Sequence, residues 1–182
     1  MGIRPAERTR VENTTLDFGK SFEEYIARLW RATYAGPIER QVPVVSPYGN
    51  GFIDLFFPHI PKIIEIKTTN WARKDYLPNP SHVDQLLWYM HFSPEIPCDE
   101  SFAGELTYGF SDNEGEVLSF SVPYDPERIR VLIEWAEQVK RALDTRIPPK
   151  IPDNYHPEKF PCGWLGKNPG KCEFFDACWR AT

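Results

Sequence analysis

The chain has 182 residues, of which 41% are apolar and 26% charged; that is enough chain to bury a core and argues against global disorder. A formal charge of -5 argues against a protein that coats nucleic acid with a broad basic surface. No apolar run reaches the roughly 18 residues of a membrane span, and the opening MGIRPAERTR lacks the apolar centre of a secretory signal, so a cytoplasmic protein with no membrane partner is expected.

Residues 1–14 are polar and aperiodic and are expected to form a flexible N-terminus. From Thr15 to Tyr34 a helix is predicted, with Phe18, Phe22, Tyr25, Ile26, Leu29 and Thr33 on one apolar stripe, ended by Gly36 and Pro37. Two strands follow, 38–46 and 52–57, joined by a turn at Tyr48–Gly51. A third strand, 62–67, reads KIIEIK, and its alternation points Glu65 and Lys67 to one face. Residues 81–92 are predicted helical, with Ser81 as the cap and Asp84 in the capping-box position. A hairpin is expected from ELTYGF and VLSFSV around DNEGE, and Pro126 opens a helix to about Arg146. The tail, 147–182, is rich in proline and cysteine and is expected to have little regular structure. This order predicts one α/β domain: a core over 15–146 with a mixed sheet flanked by helices, followed by the Cys-rich tail.

The chemistry concentrates in the strands. Asp54 stands among apolar residues, and Glu65 is predicted on the next strand. Burying a carboxylate without a partner is costly, and two carboxylates held together repel unless a cation lies between them. A hard divalent cation, Mg²⁺ or Mn²⁺, suits oxygen ligands. Lys67 can orient water and stabilise charge growing on a phosphate.

GFIDLFF followed by KIIEIK resembles the PD-(D/E)XK nuclease superfamily, in which a strand Asp precedes Glu-x-Lys on the next strand. Gln85-Leu-Leu-Trp-Tyr89 is similar to the Gln-x-x-x-Tyr motif of the RecB-like branch, and one helical turn puts both polar residues on one face. The resemblance implies a restriction-endonuclease-like core and an exonuclease acting on DNA. In that reading Asp54, Glu65 and the Ile66 carbonyl hold the divalent cation. Lys67 assists the water, and Gln85 and Tyr89 position the strand or meet the lysine. The branch often carries Gly-x-x-x-His on its first helix; here Gly19 is followed by Glu23 in the histidine place, with Glu24 beside it as a second candidate ligand.

Cys98, Cys162, Cys172 and Cys178 complete the set, three of them within the last 21 residues. Clustered cysteines in an intracellular protein favour a metal over disulfides. Cys172-x5-Cys178 resembles the closing segment of CRISPR-associated and phage RecB-family exonucleases that hold an iron–sulfur cluster. Cys162 stands farther from Cys172 than that pattern has it, and Cys98 would replace an upstream cysteine. Two metals stay open: a [4Fe–4S] cluster on the four cysteines, or zinc with His156 in place of Cys98. Three other functions stay open as well: a structure-selective endonuclease, a non-catalytic DNA-end or assembly module, and a zinc-binding interaction protein.

Overall fold

The computed structural model describes residues 10–96, 101–113, 116–145, 163–164 and 170–171. Contacts divide the chain into two compact units, Met1–Ile133 and Glu134–Thr182.

The first unit opens with helix α1, Arg10–Thr33. It starts earlier than the polar opening suggested, so residues 10–14, expected to be flexible, are helical. Its buried residues are Phe22, Ile26 and Ala27, with Trp30 and Tyr34 packed beside them. Tyr25 and Leu29, placed on the apolar stripe by spacing, are exposed. A helix laid on one sheet face buries a narrower strip than its periodicity offers. Strands β1 (Glu39–Ser46), β2 (Gly49–Phe57) and β3 (Lys62–Thr69) form an antiparallel meander. A 3-10 turn, Trp71–Tyr76, leads into helix α2, Pro80–Phe92. Strands β4 (Ala103–Phe110) and β5 (Val117–Pro123) form the second hairpin, and α3 (Pro126–Thr145) follows.

The sheet order is β1-β2-β3-β4-β5, with β3 and β4 parallel and the other pairs antiparallel. A parallel pair needs a long crossover, and α2 supplies it. The sheet is therefore mixed and carries helices against both faces. One core layer joins Leu86, Leu87 and Met90 of α2 to Ile53, Phe56, Ile63, Leu106 and Tyr108. The other joins Phe22, Ile26 and Ala27 of α1 to Leu55, Phe57, Ile64 and Ile66. This is the restriction-endonuclease-like α/β architecture expected from the sequence.

Two glycines mark close approaches. A Cβ on Gly51 of β2 would lie 2.6 Å from the Tyr89 ring and hydroxyl. One on Gly109 of β4 would strike the Phe22 ring of α1. Each helix thus sits on the sheet where a side chain is missing.

The start of α2 differs from expectation. Asn79 is the cap, accepting from the Ser81 N–H at 2.9 Å, and Pro80 takes the first helical position. Asp84 has no part in a capping box; it pairs with Arg128 Nε of α3 at 2.5 Å. Spacing alone had shifted the cap two residues into the helix.

In the second unit, α3 continues to Thr145, and a two-stranded ladder pairs β6 (Gly163–Trp164) with β7 (Gly170–Lys171). Among the described residues no helix is long and apolar enough to cross a membrane.

Candidate functional site

The strands around Asp54 do not alternate regularly. Val42 and Ile53 pack with the α2 layer. Two residues along β2, Leu55 packs with the α1 layer, and its β1 partner Arg40 reaches the acids of α1. In a regular strand, residues two apart share a face. The faces therefore exchange at the intervening pair, Gln41 and Asp54. Beyond this point β2 also leaves β3, since their ladder covers only Leu55–Phe57 of β2. The Ile66 N–H on that side of β3 is taken instead by Asp54 Oδ2 at 2.8 Å.

Glu65, next to Ile66, is 2% exposed. Its Oε1 accepts from Lys67 Nζ at 2.6 Å, while its Oε2 is buried with no partner. Glu65 and Lys67 share a face, as their spacing required. Burial pushes the Glu65 carboxyl up to about 7; the charge of Asp54 adds to this, Lys67 opposes it and Glu23 adds a further push. Burial likewise holds Asp54 above the usual carboxylate range, against the pull of the Ile66 N–H. The charge of Asp54 is therefore felt at Glu65 across a poorly solvated space.

Glu23 and Glu24 part ways. Glu23 faces the strand acids: it accepts from Arg40 Nη2 at 2.9 Å and from Gln41 Nε2 at 3.2 Å, and its charge raises both Asp54 and Glu65. Glu24 is held by Arg40 and by the exposed Arg28. Those hydrogen bonds, Arg40 first, hold its carboxyl below the usual range.

The α2 residues form a second polar group. Gln85 Nε2 donates to the Tyr89 hydroxyl at 2.8 Å, and Tyr89 packs over Gly51. The helix therefore joins these two to each other and to β2. The α2 side chain that senses Lys67 is His82, whose pKa is lowered by burial and then by the lysine charge. The Tyr108 hydroxyl accepts from the Asn79 N–H at 3.1 Å and lies 2.9 Å from His82 Nδ1. With one lone pair so used, the hydroxyl has its proton free for Nδ1, which suits a neutral His82. Three residues here were not foreseen: Arg40, Gln41 and His82. The ERQ and SHV segments carry them without any spacing that marks them as polar groups of a site.

The donor set fits a divalent cation in kind: α1, β2 and β3 each contribute a carboxylate, and one oxygen of the β3 carboxylate is buried and orphaned. It is not a finished cage. Among the described residues no three acidic, His or Cys side chains are gathered at metal-holding geometry. Asp54 and Glu23 are engaged by Gln41, Ile66 and Arg40 instead. Cys98, His156, Cys162, Cys172 and Cys178 lie outside the described residues.

No family model and no curated protein matches the sequence. Among solved structures, SSO0001 aligns with a TM-score of 0.48 at 15% identity, covering 74% of this chain, which spans 62% of the length of SSO0001. The alkaline exonuclease LHK-Exo from Laribacter hongkongensis aligns with a TM-score of 0.58 at 12% identity over 78% of this chain and 72% of its own. At that identity the likeness is one of fold, and the fold of this chain is the restriction-endonuclease-like one that it shares with the Laribacter alkaline exonuclease.

Proposed function

We propose that this protein is a Mg²⁺- or Mn²⁺-dependent deoxyribonuclease, acting as an exonuclease on DNA ends. The observation that carries the reading is the Glu65 carboxylate: buried, held on one oxygen by Lys67, orphaned on the other, and under the charge of a second, half-buried acid, Asp54. A structural ion pair would not need Asp54 pressed against it, because one acid and one lysine already balance. The fold shared with an alkaline exonuclease supports the same conclusion.

In this reading Asp54, Glu65, Glu23 and the Ile66 carbonyl hold the cation. Once bound it supplies Lewis acidity at the phosphate and an acidified water. Lys67, kept in place by Glu65, orients that water and meets negative charge on the phosphoryl oxygens. The water oxygen joins phosphorus and gives up one proton to solvent, the P–O bond to the leaving strand breaks, and the leaving oxygen takes up a proton from solvent. Gln85 and Tyr89, joined by their hydrogen bond, position the strand from α2.

For the tail we propose a structural metal, either a [4Fe–4S] cluster on Cys98, Cys162, Cys172 and Cys178 or zinc with His156 replacing Cys98. The β6–β7 ladder supports this, because it begins at the residue after Cys162 and ends at the residue before Cys172.

The test compares linear with closed circular DNA in Mn²⁺. Loss of the linear substrate alone is expected. Nicking or linearising of the circle at equal rate would mean a structure-selective endonuclease. DNA binding without cleavage in either metal would mean an end-binding module and sink the enzymatic reading.

A further inference from the structure

We propose that Gln41 is a positioning residue of the cation site, its side-chain amide setting the separation of Glu23 and Asp54; the inference rests on the metal-site reading above.

By register Gln41 falls opposite Asp54, at the one position where the β1–β2 ladder is interrupted, between the pairs Arg40↔Leu55 and Val42↔Ile53. Its φ is 51°, in the left-handed region. For a residue with a side chain inside a strand, such a conformation is unfavourable and persists only where the surroundings impose it. No turn or glycine accounts for it, since the pairs on both sides keep one register from Glu39↔Phe56 to Ser46↔Gly49.

What the conformation achieves is visible in the side chain. A single nitrogen, Nε2, donates to Asp54 Oδ1 at 3.0 Å and to Glu23 Oε1 at 3.2 Å. It thereby ties an acid of β2 to an acid of α1. The same residue is where the strand exchanges faces, which sends Arg40 toward α1 and Val42 toward α2. Asp54 is also anchored by Ile66, and Glu23 by Arg40, but Gln41 is the group seen to bond to both. An uncharged donor suits this place. It holds two like charges together before a cation arrives and does not repel the cation as a lysine would. Groups that orient ligands in this way change metal affinity by about 10–100-fold when removed.

The test uses Mn²⁺ alone, without DNA, with calorimetry for affinity and thermal unfolding for the metal-free chain. Gln41→Ala should bind Mn²⁺ about tenfold or more weakly. Gln41→Gly should weaken binding equally while unfolding at or above the temperature of the alanine variant, because glycine accepts the positive φ without strain. Gln41→Glu cannot donate and adds a carboxylate. It should unfold below the alanine variant in metal-free buffer, because three like charges then meet without a donor between them. Wild-type Mn²⁺ affinity in both the alanine and glycine variants would overturn the role while leaving the nuclease reading intact. Recovery in the glycine variant alone would show that the backbone, not the amide, matters, and would also overturn it. If the unsubstituted protein binds no Mn²⁺, the metal-site reading fails and this inference fails with it.

Discussion

Glu65 ties the chemistry of the site to the stability of the fold. Its folded pKa of about 7 lies above the ordinary 4.5. Between those values the folded chain keeps a proton that the unfolded chain has released, so stability falls as pH rises. The contribution is fully present below about 4.5 and is lost as pH climbs through about 7. Its size is at most about 3 kcal/mol, at 1.36 kcal/mol per pKa unit. Asp54 shifts in the same direction. Metal-free Tm should therefore decline across this window, and Glu65→Gln should flatten the curve; a flat wild-type profile would count against the buried, proton-holding Glu65. Cation binding requires the deprotonated acids, so Mn²⁺ affinity should rise over the same window. Lys67→Ala should lower turnover by about 10²–10³-fold, the usual loss for one donor aimed at developing charge, with DNA binding retained. Near-normal turnover at saturating Mg²⁺ would remove Lys67 from the mechanism. Asp54→Asn should abolish Mn²⁺ binding yet raise metal-free Tm, because it relieves Glu65 of a neighbouring charge; unchanged calorimetric affinity would mean Asp54 is not a ligand.

At the scale of elements, the contact between α2 and β2 is tightly packed at one point. Gly51 leaves room for Tyr89, and Tyr89 carries the Gln85 hydrogen bond. Gly51→Ala would set a methyl 2.6 Å from that ring, forcing the helix or the strand to move. A cost of about 1–3 kcal/mol is expected from such overpacking, read by denaturant unfolding. Activity should fall further than stability does, because the displaced pair is the one proposed to position DNA. Equal stability and activity to wild type would show that Tyr89 swings away freely and has no fixed place in the site.

At the scale of the whole molecule, the tail decides whether the protein needs a second metal. Cys172→Ser and Cys178→Ser should each lower stability and solubility, since a site that organises a Pro-rich segment contributes folding free energy. Metal analysis and absorbance of protein purified without oxygen separate the two metals. With an iron–sulfur cluster, Cys98→Ser loses the brown colour and His156→Ala keeps it. With zinc, the protein is colourless and His156→Ala releases the metal. Folded cysteine variants with neither iron nor zinc would end the structural-metal reading and leave the strand site untouched.

Periodicity and turn chemistry were enough to read the three α-helices and the five strands of the main sheet among the described residues, because each element buries one face and each turn has its own residue signature. The Asp54, Glu65 and Lys67 motif was legible for a local reason: Glu65 and Lys67 share a face by strand geometry, and an acid in an apolar strand stands out. The cap of α2 was misplaced because Asn79 acts through a backbone contact that competes with an equally plausible spacing from Ser81. Other features were settled only by tertiary structure. The parallel pairing of β3 with β4 depends on where α2 packs. That Glu23 rather than Glu24 faces Gln41 and Asp54 depends on how α1 is rotated on the sheet, which a two-residue acidic run cannot reveal. Arg40, Gln41 and His82 join the site through partners far away in the chain, and Gln41 does so in a backbone conformation that no local preference of glutamine predicts. Local sequence sets which faces are apolar and which residues are charged, whereas the meeting of charges from separate elements is decided by packing.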